Sequence, residues 1–184
     1  MKRIFRTFKI NVKKPEEKLS VRNKIITIIP ERVLISIILR IFVLFKIPLL
    51  SFIGPVVTEI NEKRCVIKIP YKRRIKNHLG SVYFGVLASG ADCVAGMYAL
   101  YFAKKNGEKV SMAFKDFKAD FIKRPEADTF FICEQGEEIN DFVKTVLGTD
   151  QRLNKPLKVT ATCPDKFGNE PIAQFEITLS LKKS

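Results

Sequence analysis

The stretch from Ser81 to Lys105 constrains the fold more than any other part of the chain. It is almost continuously small or apolar, and before Lys104 its only charged residue is Asp92. Asn106-Gly107 closes it as a helix stop. Gly85, Ala88, Ser89, Gly90, Ala91, Ala95 and Gly96 are small, so another element must approach closely along this helix. A central helix wrapped by a sheet meets that demand, and an exposed helix does not.

The flanking sequence supplies the sheet. Val56–Ile60 and Arg64–Pro70 read as strands turning at Asn61-Glu62-Lys63, followed by a basic loop, Tyr71 to His78. After the helix, 109–117 and 118–123 alternate in the strand period, and Thr129–Glu134 reads as another strand. Gln135 to Leu147 carries Ile139, Phe142, Val143 and Val146 at helical spacing and stops at Gly148. Pro156–Cys163 and Ile172–Leu181 complete the strands, joined by a turn at 164–168. This order predicts an α+β fold with an antiparallel sheet.

A length of 184 residues suits one domain large enough to bury a core without metal or disulfide staples, and 46% hydrophobic with 28% charged residues excludes a disordered or fibrous chain. All but one unit of the net charge of +14 lies in two segments. Residues 1–30 hold nine basic residues against two acidic ones, and 61–76 hold seven against one. Residues 77–184 balance at fourteen of each sign. A neutral body, with no RNA-recognition motif or zinc finger, argues against nucleic acid as partner. The four cysteines form no CxxC pair, and with His78 as the only histidine no metal site is expected. They read as reduced thiols of a cytoplasmic protein. Cys93 is open to two readings, a nucleophile or a small buried hydrophobe.

Residues 1–30 form a basic N-terminal arm without the features of a secretory signal, and 31–184 form the domain. From Val33 the chain is strongly apolar as far as Pro48, which ends the run; Arg40 and Lys46 interrupt it. Arg32, Ser36 and Arg40 recur at four-residue spacing, placing one polar stripe on an apolar helix. Such a helix packs on a sheet or lies on a membrane surface, so peripheral membrane contact through Met1–Lys46 is an expectation.

The chemistry-bearing stretch is Asn77-His-Leu-Gly-Ser-Val-Tyr-Phe-Gly-Val-Leu-Ala-Ser-Gly-Ala-Asp-Cys93. A carboxylate among small and apolar neighbours must be paired, raise its pKa, or line a cleft. The alternative is a helix-surface Asp92 in water. The residues Arg73-Arg74, Asn77-His78, Gly80-Ser81, Gly85 and Ala91-Asp92, in this element order, resemble the hotdog-fold thioesterase superfamily. The resemblance is to the phenylacetate-degradation thioesterases and an uncharacterised branch with Arg-Arg-x-x-Asn-His-x-Gly-Ser before the helix. It extends from about Val33 to the C-terminus in element order, with its specific motif in 73–92. Where the family opens its helix with His-Gly-Gly, this chain has Tyr83-Phe84-Gly85.

The resemblance implies hydrolysis of acyl thioesters, with Asp92 as the catalytic carboxylate, Asn77 positioning acyl group or water, and backbone N–H groups near Phe84 and Gly85 polarising the carbonyl. Tyr83 would donate through its hydroxyl in place of the family's His. Arg73, Arg74, His78 and Ser81 fall on the coenzyme A side, and Arg or Lys clusters suit its phosphates; charge runs are also ordinary solvated turns. His78 is otherwise a loop or capping residue. No separate cofactor is implied, since coenzyme A enters as part of the substrate. A homodimer or dimer of dimers is implied, because in this fold the site lies between subunits. A non-catalytic protein binding an acyl group or acyl-carrier arm is the alternative.

Overall fold

The computed structural model describes residues 47–184; the basic arm, the apolar run up to Lys46 and its polar stripe lie outside the described residues. The described chain runs α1 (Pro48–Ile53), β1 (Val56–Ile60), β2 (Cys65–Ile69), a 3-10 turn (Arg73–Ile75), α2 (Phe84–Lys105) and β3 (Val110–Phe121). It continues through β4 (Thr129–Cys133), α3 (Gly136–Leu147), β5 (Leu153–Thr162), α4 (Pro164–Phe167) and β6 (Pro171–Lys183). All six strands form one antiparallel sheet in the order β1-β2-β4-β5-β6-β3. The sheet wraps α2, which touches β2, β3, β4, β5 and β6, and α3 packs beside it. This is the hotdog arrangement.

The small residues of α2 now have their reason. A Cβ at Gly90 would lie 2.3 Å from the Phe131 ring of β4, and one at Gly96 would lie 3.1 Å from Met112 Cε of β3. The sheet therefore closes on the helix where side chains are missing. Leu87, Ala91, Val94, Ala95, Tyr98, Ala99 and Phe102 are all buried against it. By length and composition α2 is apolar enough to cross a membrane, but most of it is enclosed by its own sheet.

Three local expectations change. The helix starts at Phe84 rather than Ser81, because Val82 N–H donates to Pro125 O (2.9 Å) and Tyr83 N–H to Ile75 O (2.9 Å). Those bonds bind 82–83 to neighbouring loops instead of a helical turn. The two strands expected over 109–123 are one strand with a bulge. Between Phe114 and Phe117, β3 advances three residues while β6 advances two, from Leu179 to Ile177. One extra residue reverses the side-chain parity, so Val110, Met112 and Phe114 share a face with Phe117, Ala119 and Phe121. The alternation breaks but the strand does not. Finally, Pro164–Phe167 is a short helix rather than an open turn. Pro48 takes the first position of α1, where its missing N–H costs nothing.

Candidate active site at the start of the central helix

The first turn of α2 leaves backbone donors open. Tyr83 caps the helix from an extended conformation with no side-chain cap bond, and no acidic residue lies in the first turn. Its carbonyl accepts from Val86 N–H (2.9 Å) and Leu87 N–H (3.3 Å). Phe84 and Gly85 N–H have no acceptor among the described residues. Two adjacent free N–H groups at the positive end of a 22-residue helix suit a developing oxyanion. The Tyr83 ring folds over Gly85, where a Cβ would lie 2.6 Å from it. The exposed phenol ring thus fills the space that a side chain at 85 would take. From Tyr83 the rings continue through Phe84 (4.7 Å between centroids), Phe121 (6.2 Å) and Phe175 (6.0 Å) to buried Phe131 (6.3 Å). An aromatic wall thus runs from the helix mouth into the core.

Asp92 stands seven residues, or about 10 Å of helix rise, beyond Gly85. Gly85, Ala88, Ser89 and Asp92 share one half-buried face, opposite the fully buried Leu87, Ala91 and Val94. Ser89 Oγ donates to Gly85 O (2.8 Å). Asp92 has no hydrogen bond or ion pair among the described residues, and burial raises its pKa above the usual carboxylate value. The carboxylate is desolvated, uncompensated and still open on one side. That combination is unusual for a purely structural aspartate and favours a group poised to hold a proton.

The preceding loop is tightly built. Asn77 Oδ1 accepts from Leu79 N–H (2.9 Å), Ser81 N–H (3.2 Å) and Ser81 Oγ (3.2 Å), while its Nδ2 donates to Ser81 Oγ (3.0 Å). Ser81 is buried. The pair closes the loop on itself and leaves the second Nδ2 hydrogen free for a ligand. His78 lies exposed at the tip of that turn. Arg73 and Arg74 occupy the 3-10 turn, both exposed, with the Arg74 guanidinium 5.4 Å from the Phe52 ring centre. The structure brings Tyr83, Phe84 and Gly85 together, holds Asn77 with Ser81, and sets Asp92 two helical turns away.

Sequence reasoning missed the residues that hold this loop. Tyr71 donates its hydroxyl to Gly80 O, and its N–H reaches Asp128 Oδ1 at 2.7 Å. Asp128 also accepts from Lys68 Nζ (3.0 Å), and these bonds outweigh its burial, holding its carboxyl below the usual range. Only the fold joins Tyr71 to Asp128 across 57 residues. No local pattern announces the pair.

Other candidates fall away. Burial pushes the Cys93 thiol up to about 12, so it stays protonated and packs as a small hydrophobe. Among the described residues no three His, Cys, Asp or Glu side chains converge on a metal position. A cleft of about 640 Å³ lies at the β1–β2 turn between Glu59, Asn61, Glu62, Lys63, Arg64 and Glu134. Glu59 there is held by Arg64 (2.6 and 2.8 Å) and Glu62 by Lys105, which marks a structural corner.

Residues 36–181 match the family described as Domain of unknown function (DUF4442). The chain belongs to the DUF4442 family. No curated protein matches this family member in sequence. Solved structures with similar folds include a protein of unknown function from Chlorobaculum tepidum TLS, with TM-score 0.71 and 14% identity, covering 83% of this chain and 97% of that one. A candidate thioesterase from Shewanella oneidensis aligns with TM-score 0.70 and 11% identity over 82% of this chain and 99% of its own. A thioesterase from Haemophilus influenzae aligns with TM-score 0.56 and 13% identity over 76% and 86%. At these identities the likeness establishes the hotdog fold for this DUF4442 member.

Proposed function

We propose that the chain hydrolyses acyl thioesters, with acyl-CoA as substrate class. The observation that carries this reading is Asp92, a half-buried carboxylate without a partner among the described residues, on a helix whose first turn leaves the Phe84 and Gly85 N–H groups open. In the reaction a water oxygen attacks the thioester carbonyl carbon as Asp92 takes its proton. Charge building on the carbonyl oxygen is met by the Phe84 and Gly85 N–H groups. The carbon–sulfur bond then breaks, and the proton passes from Asp92 to the departing thiolate, giving carboxylic acid and free thiol. Asn77 orients water or acyl group through its remaining Nδ2 hydrogen, and the Tyr83 hydroxyl lies at the same mouth. Arg73 and Arg74, with His78 at the loop tip, meet the phosphates of coenzyme A or of a carrier arm. Ser81 contributes by fixing Asn77.

A rise of about 10 Å separates Asp92 from Gly85 within one chain, too far for both to act on one carbonyl. A second copy supplies the missing half when two central helices lie antiparallel. The sheet edge at β3 and the exposed Phe84, Phe117, Phe121 and Ile122 support that homodimer. Purified protein assayed for thiol release across acyl-CoA chain lengths tests the proposal. Turnover lost in Asp92→Ala supports it, and equal rates for the two proteins overturn it.

One observation favours a second reading, an acyl-binding protein without turnover. The Tyr83 ring over Gly85 and the exposed Phe84 make the mouth narrower and more apolar than two glycines would. An acyl species recovered with the protein by mass spectrometry, with no thiol release, would favour binding alone.

A further inference from the structure

We propose that the surface formed by α1 and the 3-10 turn docks on an anionic membrane. α1, Pro48-Leu-Leu-Ser-Phe-Ile53, is apolar almost all round. Leu50 and Ile53 are buried in the core, whereas Leu49 and Phe52, one turn apart, are 61% and 54% exposed. A helix apolar on every side is ordinarily covered on every side. Here the outward pair is left open, with a cation laid against it. The Arg74 guanidinium lies over Phe52, and Gly54 makes room for it, since a Cβ there would sit 2.9 Å from Arg74 Nη2. Lys72 and Arg73, which precede Arg74 in the chain, are exposed as well.

Lys72 lies close enough to the Asp128 carboxylate to help lower its pKa, whereas Arg74 faces Phe52. Among the described residues Lys72, Arg73 and Arg74 make no ion pair, while eight other basic side chains each hold a carboxylate. The nearby acids are already engaged, Asp128 by Lys68 and Glu126 by Lys166. Exposed apolar side chains beside exposed cations match the boundary of an anionic bilayer, where the former enter the acyl layer and the latter meet lipid phosphate. A polyanion without an apolar phase would account for the cations but leave Leu49 and Phe52 in water. The sequence entering α1 has the same chemistry, strongly apolar from Val33 and +7 over residues 1–30. Arg73 and Arg74, proposed above for coenzyme A phosphates, meet lipid phosphate by the same guanidinium geometry. Vesicle docking and thiol release are read by separate assays, and Leu49 and Phe52 have no part in the thioester site, so docking and turnover are told apart by the Leu49→Ser/Phe52→Ser protein.

The chain contains no tryptophan, so Phe52→Trp places a single reporter in the patch and Phe142→Trp places one on α3 as control. With phosphatidylserine-rich vesicles, emission from the full-length Phe52→Trp protein shifts to the blue and the control does not. With pure phosphatidylcholine vesicles neither moves. Lys72→Ser/Arg73→Ser lowers vesicle flotation about tenfold. Leu49→Ser/Phe52→Ser lowers it similarly with no fall in Tm. Three results overturn the proposal: flotation without a shift at position 52, an equal shift with phosphatidylcholine, or a Leu49→Ser/Phe52→Ser protein that floats normally but melts lower, which would mean the chain itself covers the patch.

Discussion

The two ends of α2 are finished differently. At its C-terminus three of the last four carbonyls have partners: Asn106 N–H and Nδ2 donate to Phe102 O (3.0 and 2.8 Å), Gly107 N–H to Lys104 O (3.0 Å) and Glu108 N–H to Ala103 O (3.2 Å). Lys104 and Lys105 sit in the last turn, where cations suit the helix dipole, and Lys105 holds Glu62. Tyr98, fully buried, donates to Asn61 O at 2.9 Å. At the N-terminus the cap is missing, two N–H groups are open, and Asp92 is desolvated without a partner. One helix therefore has an end built for stability and an end that leaves stabilisation unused. Departures of the second kind concentrate where a ligand completes the bonding.

That contrast breaks if changes at the C-terminal end alter turnover, or if repairs at the N-terminal end leave it intact. The largest expected effect is from Gly136→Ala, since a Cβ there would lie 2.0 Å from both Glu62 O and the Tyr98 hydroxyl. Overpacking of that kind costs about 3 kcal/mol, read as a Tm about 6–12 °C lower by calorimetry. Turnover by the folded fraction stays unchanged. Tyr83→Asp supplies the missing cap and an anion at the helix N-terminus. It raises stability by about 1 kcal/mol in urea unfolding and lowers thiol release at least tenfold by occupying the open N–H groups. Tyr98→Phe strands Asn61 O and costs about 1 kcal/mol without affecting turnover. Smallest is Lys105→Ala, which breaks an exposed ion pair and leaves Tm and turnover where they were.

The ends also differ in how much of them the sequence discloses. The small-residue run and the Asn106-Gly107 stop marked the helix, and Gly90 beneath Phe131 is the close approach that run required. The strand alternation was readable up to Phe114, where one bulge residue reverses it and imitates a chain break. In the site, Asp92 stood out because charge is rare in an apolar helix. The loop braces did not, because Tyr71–Asp128 and Val82–Pro125 join residues brought together only by the sheet. The basic loop was visible as charge. The apolar Leu49 and Phe52 gained meaning only when α1 was seen to bury Leu50 and Ile53 and leave the others outside.

Asp92→Asn tests the central claim most directly, because function and stability are expected to move in opposite directions. Burial raises the Asp92 pKa in the folded chain, so its stabilising contribution is complete below the unfolded value and is lost as pH rises through the folded one. At pH 7, above the unfolded value, the carboxyl group therefore opposes folding relative to an amide. Under the proposed mechanism the same raised pKa is expected to set the acid limb of turnover, climbing with pH as Asp92 ionises. Thiol release and Tm measured together on both proteins should show turnover at least 100-fold lower in Asp92→Asn and a higher Tm at pH 7, the Tm gain closing as pH falls towards the ordinary carboxylate range. Turnover retained by Asp92→Asn, or a Tm that falls at pH 7, would contradict the account.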